Sequence, residues 1–423
     1  MPFTQLGLAP TLFPLLLRAL HDKGYTEPTA IQAMAVPALL SGRDVLASAQ
    51  TGSGKTAAFA LPLLQRIHDL PTRAGRTTSA LILVPTRELA AQVGEALVSF
   101  GKYLPQHIKV AVVFGGVSIN PQMMHLRGGA DVVVATPGRL IDLIDHNAVS
   151  LAHVKTLVLD EADKLLDMGF ADELARIVAL LPAKRQNALF SATFAPAIEA
   201  LAAGMMHDPL RIEIKPELET VLPITQRAIA VDAPKRTQLL RHLVHTEKWQ
   251  RVLVFVATKH AAEMVADKLR KADINAEPFH GELSQGKRSQ VLMDFKAKAV
   301  QVVVATDVAA RGLDITALPV VVNYDLPRSA TDYTHRIGRT GRAGVSGIAV
   351  SFVSSATAAH FKLIEKRHAI TLALEQVAGF EPVELATVNA ADPQGTGGVK
   401  GTRPSKKDKL RAAAKAEVNE TTR

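Results

Sequence analysis

The sequence predicts an α/β fold of two domains, each a parallel sheet flanked by helices. Three observations point there. Short β-branched runs alternate with segments of helical period along the whole chain. The runs are largely continuous apolar stretches, as strands buried on both faces require. The length of 423 residues exceeds one ordinary core and suits two domains and a tail.

In the first half the runs fall at residues 44–47, 80–84, 110–114, 131–135, 156–159 and 187–190. In the second half they fall at 251–256, 300–305, 320–323 and 348–352. Between two of these, Thr258 reads as an N-cap, and Ala261, Met264, Val265 and Leu269 then share one helical face. The early apolar stretch 12–20 holds Pro14 and Arg18 and is too short to span a bilayer. It reads as a buried amphipathic helix.

Pro209, Pro216 and Pro223 interrupt a stretch without sustained period, which predicts a linker at 208–222. The expected division is a domain over 1–207, a second over 223–375, and an extension over 376–423. From Val399 onward eight Lys/Arg stand against three Asp/Glu with no aromatic residue, the composition of a disordered basic tail.

Composition narrows the function. Cysteine is absent, which removes disulfides and thiolate metal sites. No export signal precedes the first domain, so a cytoplasmic protein without a membrane partner is expected. A net charge of +9 favours polyanionic partners. With aromatics at 4%, the expected target is the sugar–phosphate backbone and not stacked bases.

The segment Ala49-Gln50-Thr51-Gly52-Ser53-Gly54-Lys55-Thr56 follows a short strand and opens a helix-period segment. That is the setting of a phosphate-binding loop. Small residues let backbone N–H groups turn toward phosphates, and the helix N-terminus adds partial positive charge. Lys55 would meet the β- and γ-phosphates, and the Thr56 hydroxyl would ligate Mg²⁺. The general motif has Gly where Ala49 stands. The run 156–159 ends in Asp160-Glu161-Ala162-Asp163. An Asp at the carboxyl end of a buried parallel strand faces the ligand crevice, so Asp160 would hold Mg²⁺ directly or through water. Glu161 would orient and deprotonate the attacking water.

These two motifs together closely resemble DEAD-box RNA helicases, in which the alanine at position 49 is the usual form. Other motifs of the family follow in order. Gly24-Tyr25, Pro28-Thr29 and Ile31-Gln32, with Phe3 upstream, resemble the Q motif. Pro85-Thr86-Arg87-Glu88-Leu89-Ala90, Gly115-Gly116 and Thr136-Pro137-Gly138-Arg139 resemble RNA-contact loops. Ser191-Ala192-Thr193 is similar to the coupling motif, to which Asp163 and His335 are joined. In the second half, Thr258 closing its strand, His280-Gly281 with Gln285 and Arg288, Thr306-Asp307 through Arg311 and Asp314, and the run from His335 to Arg342 complete the set. The resemblance covers roughly residues 1 to 375. Its Asp-Glu-Ala-Asp ending separates it from the DEAH group, and the segment 371–382 looks like the bacterial RhlE-like branch.

The resemblance implies two tandem RecA-like domains, with ATP and Mg²⁺ as cofactors and RNA as the partner. Asp314 would touch the ribose. Arg339 and Arg342 would act as arginine fingers; three residues apart, they would share one face of a helix. Gln32 has a planar amide suited to pairing bidentately with adenine. Either Phe3 or Tyr25 would pack on the base, with Phe3 favoured. The glycines of the RNA loops allow close backbone approach, while Arg87, Arg139 and Arg288 supply charge. Such a surface reads phosphates and 2′-hydroxyls, so binding independent of sequence is expected. The expected enzyme is an RNA-stimulated ATPase that locally unwinds short duplexes or remodels RNA–protein complexes by closing a two-domain cleft. A DNA translocase and an ATP-dependent RNA clamp stay open as alternatives. Ribosomal precursors and RNA-decay complexes are both open as settings, and a monomer is expected.

Overall fold

The computed structural model describes residues 2–49, 52–70, 75–214, 224–310, 318–341 and 346–383. The β-branched runs form two parallel sheets. In the first lobe they are β1 (Val45–Ser48), β2 (Ala80–Leu83), β3 (Val110–Val113), β4 (Val132–Ala135), β5 (Thr156–Leu159), β6 (Gln186–Ser191) and β7 (Leu210–Glu213). Their order is β3-β4-β2-β5-β6-β1-β7. The second lobe comprises β8 (Ile224–Ala230), β9 (Val252–Val256), β10 (Ala276–Phe279), β11 (Val302–Thr306), β12 (Val320–Asn323), β13 (Gly347–Val353) and β14 (Leu374–Glu375). Their order is β10-β11-β9-β12-β13-β8-β14. These are the tandem RecA-like sheets that the sequence predicts.

The continuous apolar character of the strands has the expected cause. Val132 and Val134 pack into one core of the first lobe, while Val133 and Ala135 pack into the core on the other face. In the second lobe Val302 and Val304 separate in the same way from Val303 and Ala305. Both faces of each sheet are covered by helices, so polar residues do not alternate with apolar ones along these strands.

Four strands escaped the sequence reading. β7 lies inside the stretch expected to be a linker and pairs with β1, with Val45 opposite Leu210. The first lobe therefore extends past residue 207, and the linker narrows to part of 208–222. Residues 215–223 lie outside the described residues. β8 and β14 are the neighbouring strands at the other end of the second sheet. β10 carries Glu277 and Pro278, which mask its strand character; Pro is tolerated there because β10 is an edge strand.

Thr258 caps the helix Lys259–Arg270 as expected, accepting a hydrogen bond from the Ala261 N–H at 3.1 Å. The buried face is shifted, however, to Ala262, Val265, Ala266 and Leu269, and Met264 is exposed. The stretch 12–20 falls largely in the helix Phe13–Asp22, with Leu16, Ala19 and Leu20 buried. Among the described residues no helix is long and apolar enough to cross a membrane.

The extension expected from residue 376 begins as part of the second lobe. Val377 and Phe380 pack on its core, with the Phe380 ring 5.3 Å from that of His242. The Val383 N–H donates to Asp232 at 2.8 Å. The basic tail itself lies outside the described residues.

Candidate nucleotide and RNA site

The carboxyl ends of β1, β5 and β6 bring the nucleotide motifs together. β1 delivers Ala49, and the helix Lys55–His68 starts at Gly54. Gly54 has φ +93°, a left-handed conformation that favours glycine. A side chain there would also run into Gln32 and Thr29. Lys55 is buried and its Nζ donates to the Ala49 carbonyl at 2.7 Å, across the loop. Ser53 Oγ is buried without a hydrogen-bond partner among the described residues. Gln50 and Thr51 lie outside them.

Asp160 stands at the end of β5, fully buried. Burial pushes its carboxyl up to about 6; Lys55 opposes that rise and Glu161 adds to it. Glu161 follows with φ +53°, a left-handed backbone for a non-glycine residue. Its carboxylate pairs with Lys164 at 2.8 Å. Asp163 accepts from the Ala192 N–H at 3.2 Å, and Ser48 Oγ donates to the Ala192 carbonyl at 3.0 Å. Ser191 Oγ accepts from the Thr193 N–H at 3.4 Å. The acidic motif and the Ser191–Thr193 turn are thus joined by a direct hydrogen bond.

A cavity of about 560 Å³ opens over these groups. Lys55, Thr56, Asp160 and Glu161 line it from the first lobe and Arg339 from the second. Burial holds the His335 imidazole below its ordinary value; Lys164 and Arg339 add to this, while Asp163 and Asp332 oppose it. His335 therefore responds to the acidic motif of the other lobe. Arg339 does not lie on a helix: the helix Ala330–Ile337 ends before it. Arg342, Arg311 and Asp314 lie outside the described residues.

The donor set fits a Mg²⁺ ion. Such an ion takes one or two carboxylates, keeps water and uses substrate phosphates for the rest. Asp160 and Thr56 are of that kind, and the elevated Asp160 carboxyl is a buried anion short of positive charge. Size alone would point elsewhere. A cavity of about 630 Å³, lined by Arg76, His107, Asp131, Lys155 and Lys184, adjoins the amino ends of the first sheet's strands. None of the expected site residues lies there.

Two residues expected at adenine have protein partners in this structure. The Gln32 amide is fully buried, accepting from the Thr29 N–H at 3.1 Å and donating to the Gly54 carbonyl at 3.1 Å. The amide keeps a second N–H and a second lone pair, both buried in this structure. Phe3 is a core residue of the first lobe, where burial of its ring is favourable. Tyr25 is the aromatic that lines the cavity, edge-on to Phe100 at 5.9 Å.

The loops expected to meet RNA are present, with three charges held by protein partners. Pro85 precedes Thr86, which caps the helix Arg87–Phe100 by accepting from the Leu89 N–H at 3.3 Å. The Arg87 guanidinium occupies the space a side chain at Gly116 would need. The Gly115 N–H donates to Thr136 Oγ1 at 3.3 Å, and Pro137 and Gly138 open the next helix, Pro137–Asp145. Arg139 is buried, donating to the Val117 carbonyl at 2.7 Å and pairing with Asp142 at 3.5 Å. It holds the glycine loop from behind. Arg288 is buried against Glu88 at 2.7 Å, an ion pair between the lobes. Asp307, next to Thr306 at the end of β11, is held by Arg336 at 2.6 and 2.7 Å. Gln285 begins the helix Gln285–Lys296, its Oε1 buried without a partner among the described residues. Buried guanidinium and carboxylate groups need partners, which is why these charges point inward.

Sequence reasoning missed Glu88, Lys164 and Arg336 as individual groups. Glu88 and Arg336 sat inside quoted motifs, and a charge amid apolar motif residues was the available signal.

Comparison with known proteins agrees with this geometry. Residues 29–201 match the DEAD/DEAH box helicase family, and residues 235–344 match the helicase conserved C-terminal domain. The chain is 45% identical over 377 residues to ATP-dependent RNA helicase DeaD of Mycobacterium tuberculosis, an alignment covering 89% of this chain and 66% of that one. It is 40% identical to ATP-dependent RNA helicase CshA of Limosilactobacillus reuteri, covering 86% and 72%. The structure of Saccharomyces cerevisiae Dbp5 bound to RNA and ADP BeF3 aligns with a TM-score of 0.76 at 32% identity, covering 89% of this chain and 95% of that one. This chain thus spans just under two thirds of the length of the mycobacterial relative.

Proposed function

Since the chain belongs to the DEAD/DEAH box helicase family, we propose that it is an ATP-dependent RNA helicase whose hydrolysis is gated by closure of the two lobes on RNA. One observation carries the reading: Arg339 of the second lobe lines the same cavity as Lys55, Asp160 and Glu161 of the first. A site completed by both lobes is active only when they are together.

In this reading Lys55 leaves the Ala49 carbonyl to meet the β- and γ-phosphates. Thr56 and Asp160 hold Mg²⁺, which neutralises charge developing on the phosphates. Glu161, set by its left-handed backbone, orients the attacking water and accepts its proton. Arg339 stabilises charge on the transferring group. Asp163, Ser191, Thr193 and His335 relay the state of the nucleotide to the second lobe.

RNA lies along both lobes, over the Gly115-Gly116 loop, Arg87 and Thr136–Gly138 on one side and around Thr258, Gln285 and Thr306 on the other. Contacts from glycine loops and helix starts address the sugar–phosphate backbone, hence without sequence preference. Closure on one strand excludes its complement, so a short duplex opens locally. We take the cytoplasm as its place of work.

The test is steady-state ATPase activity with single-stranded RNA, DNA or neither, alongside release of a short labelled RNA strand. RNA-specific stimulation with ATP-dependent release supports the helicase. Equal stimulation by DNA moves the reading to a DNA translocase, and stimulation without strand release moves it to an RNA clamp.

A further inference from the structure

The nucleotide cavity has a second group of lining residues, away from the reacting phosphates. Tyr25 packs on Phe100 there, and Lys23 pairs with Glu95 at 3.6 Å. These belong to the first lobe. One more residue lines the cavity from the second lobe: Lys296, the last residue of the helix Gln285–Lys296. No motif of the sequence includes it. We propose that Lys296 is a nucleotide-positioning residue, which lobe closure brings to this outer end of the ATP cavity. There its ammonium adds ATP affinity only in the closed, RNA-bound state. The inference rests on the helicase reading above and assigns that site a further residue.

The placement follows from two helices. Arg288 on Gln285–Lys296 meets Glu88 on Arg87–Phe100 at 2.7 Å, fixing both helices at one point. Eight residues further along, at 1.5 Å per residue, each helix has advanced about 12 Å. On the first lobe that step reaches Ala96, beside Glu95; on the second it reaches Lys296. Ala96, Glu95 and Lys296 all line the one cavity.

The backbone at this point is fixed. Phe295 is fully buried in the second-lobe core, and Arg251 lies over its ring at 5.4 Å. The Lys296 side chain is exposed, so its flexible stem starts from a rigid anchor and reaches into the cavity. An ammonium donates to neutral acceptors such as ribose oxygens, ring nitrogens and the Tyr25 hydroxyl. The chemistry of the outer end therefore differs from that at Arg339, which lines the cavity with Asp160 and Glu161. Arg339 acts on the rate of phosphoryl transfer; Lys296 acts on how tightly the closed state holds ATP.

That difference gives the experiment. RNA-stimulated ATPase of the full chain is measured against ATP concentration for wild type, Lys296→Met, Lys296→Arg and a surface control, Lys271→Met, whose residue pairs with Asp267 at the protein surface. With saturating single-stranded RNA, Lys296→Met is expected to raise the KM for ATP about tenfold and change kcat by less than about twofold, the scale of one charge-assisted hydrogen bond. Lys296→Arg keeps most of the wild-type KM, and Lys271→Met matches wild type. An unchanged KM in Lys296→Met, a loss confined to kcat, or no rescue by Arg overturns the proposal. A wild-type ATPase that ignores RNA overturns the helicase reading as well, and that result is visible without any variant.

Discussion

Arg288 and Glu88 form an ion pair across the cleft at 2.7 Å, with side chains only 5% and 6% exposed. The pair also carries Arg288 over the Phe279 ring at 4.7 Å. Burying two charges is costly, and their mutual attraction roughly offsets that cost. Its consequence is geometric: the lobes satisfy both charges only in one relative position. An open cleft would return both groups to water.

Truncating either partner therefore penalises the closed state alone. Arg288→Ala or Glu88→Ala should weaken RNA binding in the presence of a non-hydrolysable ATP analogue by about 3–5 kcal/mol, the cost of one uncompensated buried charge. The double variant should recover part of that loss. A double-mutant cycle on RNA affinity measures it, and strictly additive losses would mean the pair does not bridge the lobes in solution.

The Asp160 carboxyl, pushed up to about 6 by burial, predicts a pH dependence of metal use. Below pH 6 a proton occupies the carboxylate and Mg²⁺ must displace it. The Mg²⁺ concentration for half-maximal ATPase should rise as pH falls from 7 to 5 and stay flat above 7. The same shift bears on stability. A carboxyl whose folded value lies above its unfolded one favours folding at low pH and loses that contribution as pH rises through the folded value. Asp160→Asn should thus raise the melting temperature of the ligand-free protein at pH 8 and give no gain at pH 3.5. Thermal melts at the two pH values decide it, equal shifts counting against a buried, charge-starved Asp160.

Gln32 offers a test between two jobs. The structure ties its amide to Thr29 and to Gly54 of the phosphate loop. Gln32→Ala removes a helix-capping contact and the brace on the loop, at a cost of about 1 kcal/mol or more in stability. A brace on the loop affects every nucleoside triphosphate alike, so affinity for ATP and GTP should fall by the same factor. A selective loss of ATP over GTP would instead restore Gln32 as the reader of adenine.

These residues also mark how far the sequence could be read. Strands such as Val132–Ala135 and Val302–Thr306 were legible because burial on both faces writes itself into consecutive β-branched residues. Ala276–Phe279 was not, since an edge strand can hold a Pro and a Glu. The phosphate loop and the acidic motif were legible because each is local: a strand end, a turn and a helix start. The bond from Gln32 to Gly54 was not, because that partner lies 22 residues away. Arg139, Arg288 and Asp307 looked like RNA contacts by type. Which way a charge points depends on a partner that folding supplies: Val117 and Asp142, Glu88, and Arg336.

The remaining prediction concerns why RNA should stimulate hydrolysis at all. Lys55, Thr56, Asp160 and Glu161 belong to the first lobe, and Arg339 reaches their cavity only from the second. In an open cleft the guanidinium is too far to stabilise charge on the γ-phosphate. RNA contacts both lobes, so binding it favours the closed arrangement and completes the site. Groups of this kind contribute about 10³–10⁵ in rate in other phosphoryl-transfer enzymes. Arg339→Ala should therefore abolish RNA stimulation while the ATP-binding affinity measured without RNA stays close to wild type. Arg339→Lys should recover little, because a point charge does not reproduce the planar fork of guanidinium donors. Steady-state ATPase with and without single-stranded RNA, paired with fluorescent-nucleotide titration, separates the two quantities. Full RNA stimulation in Arg339→Ala would show that the second lobe does not complete the site through this residue.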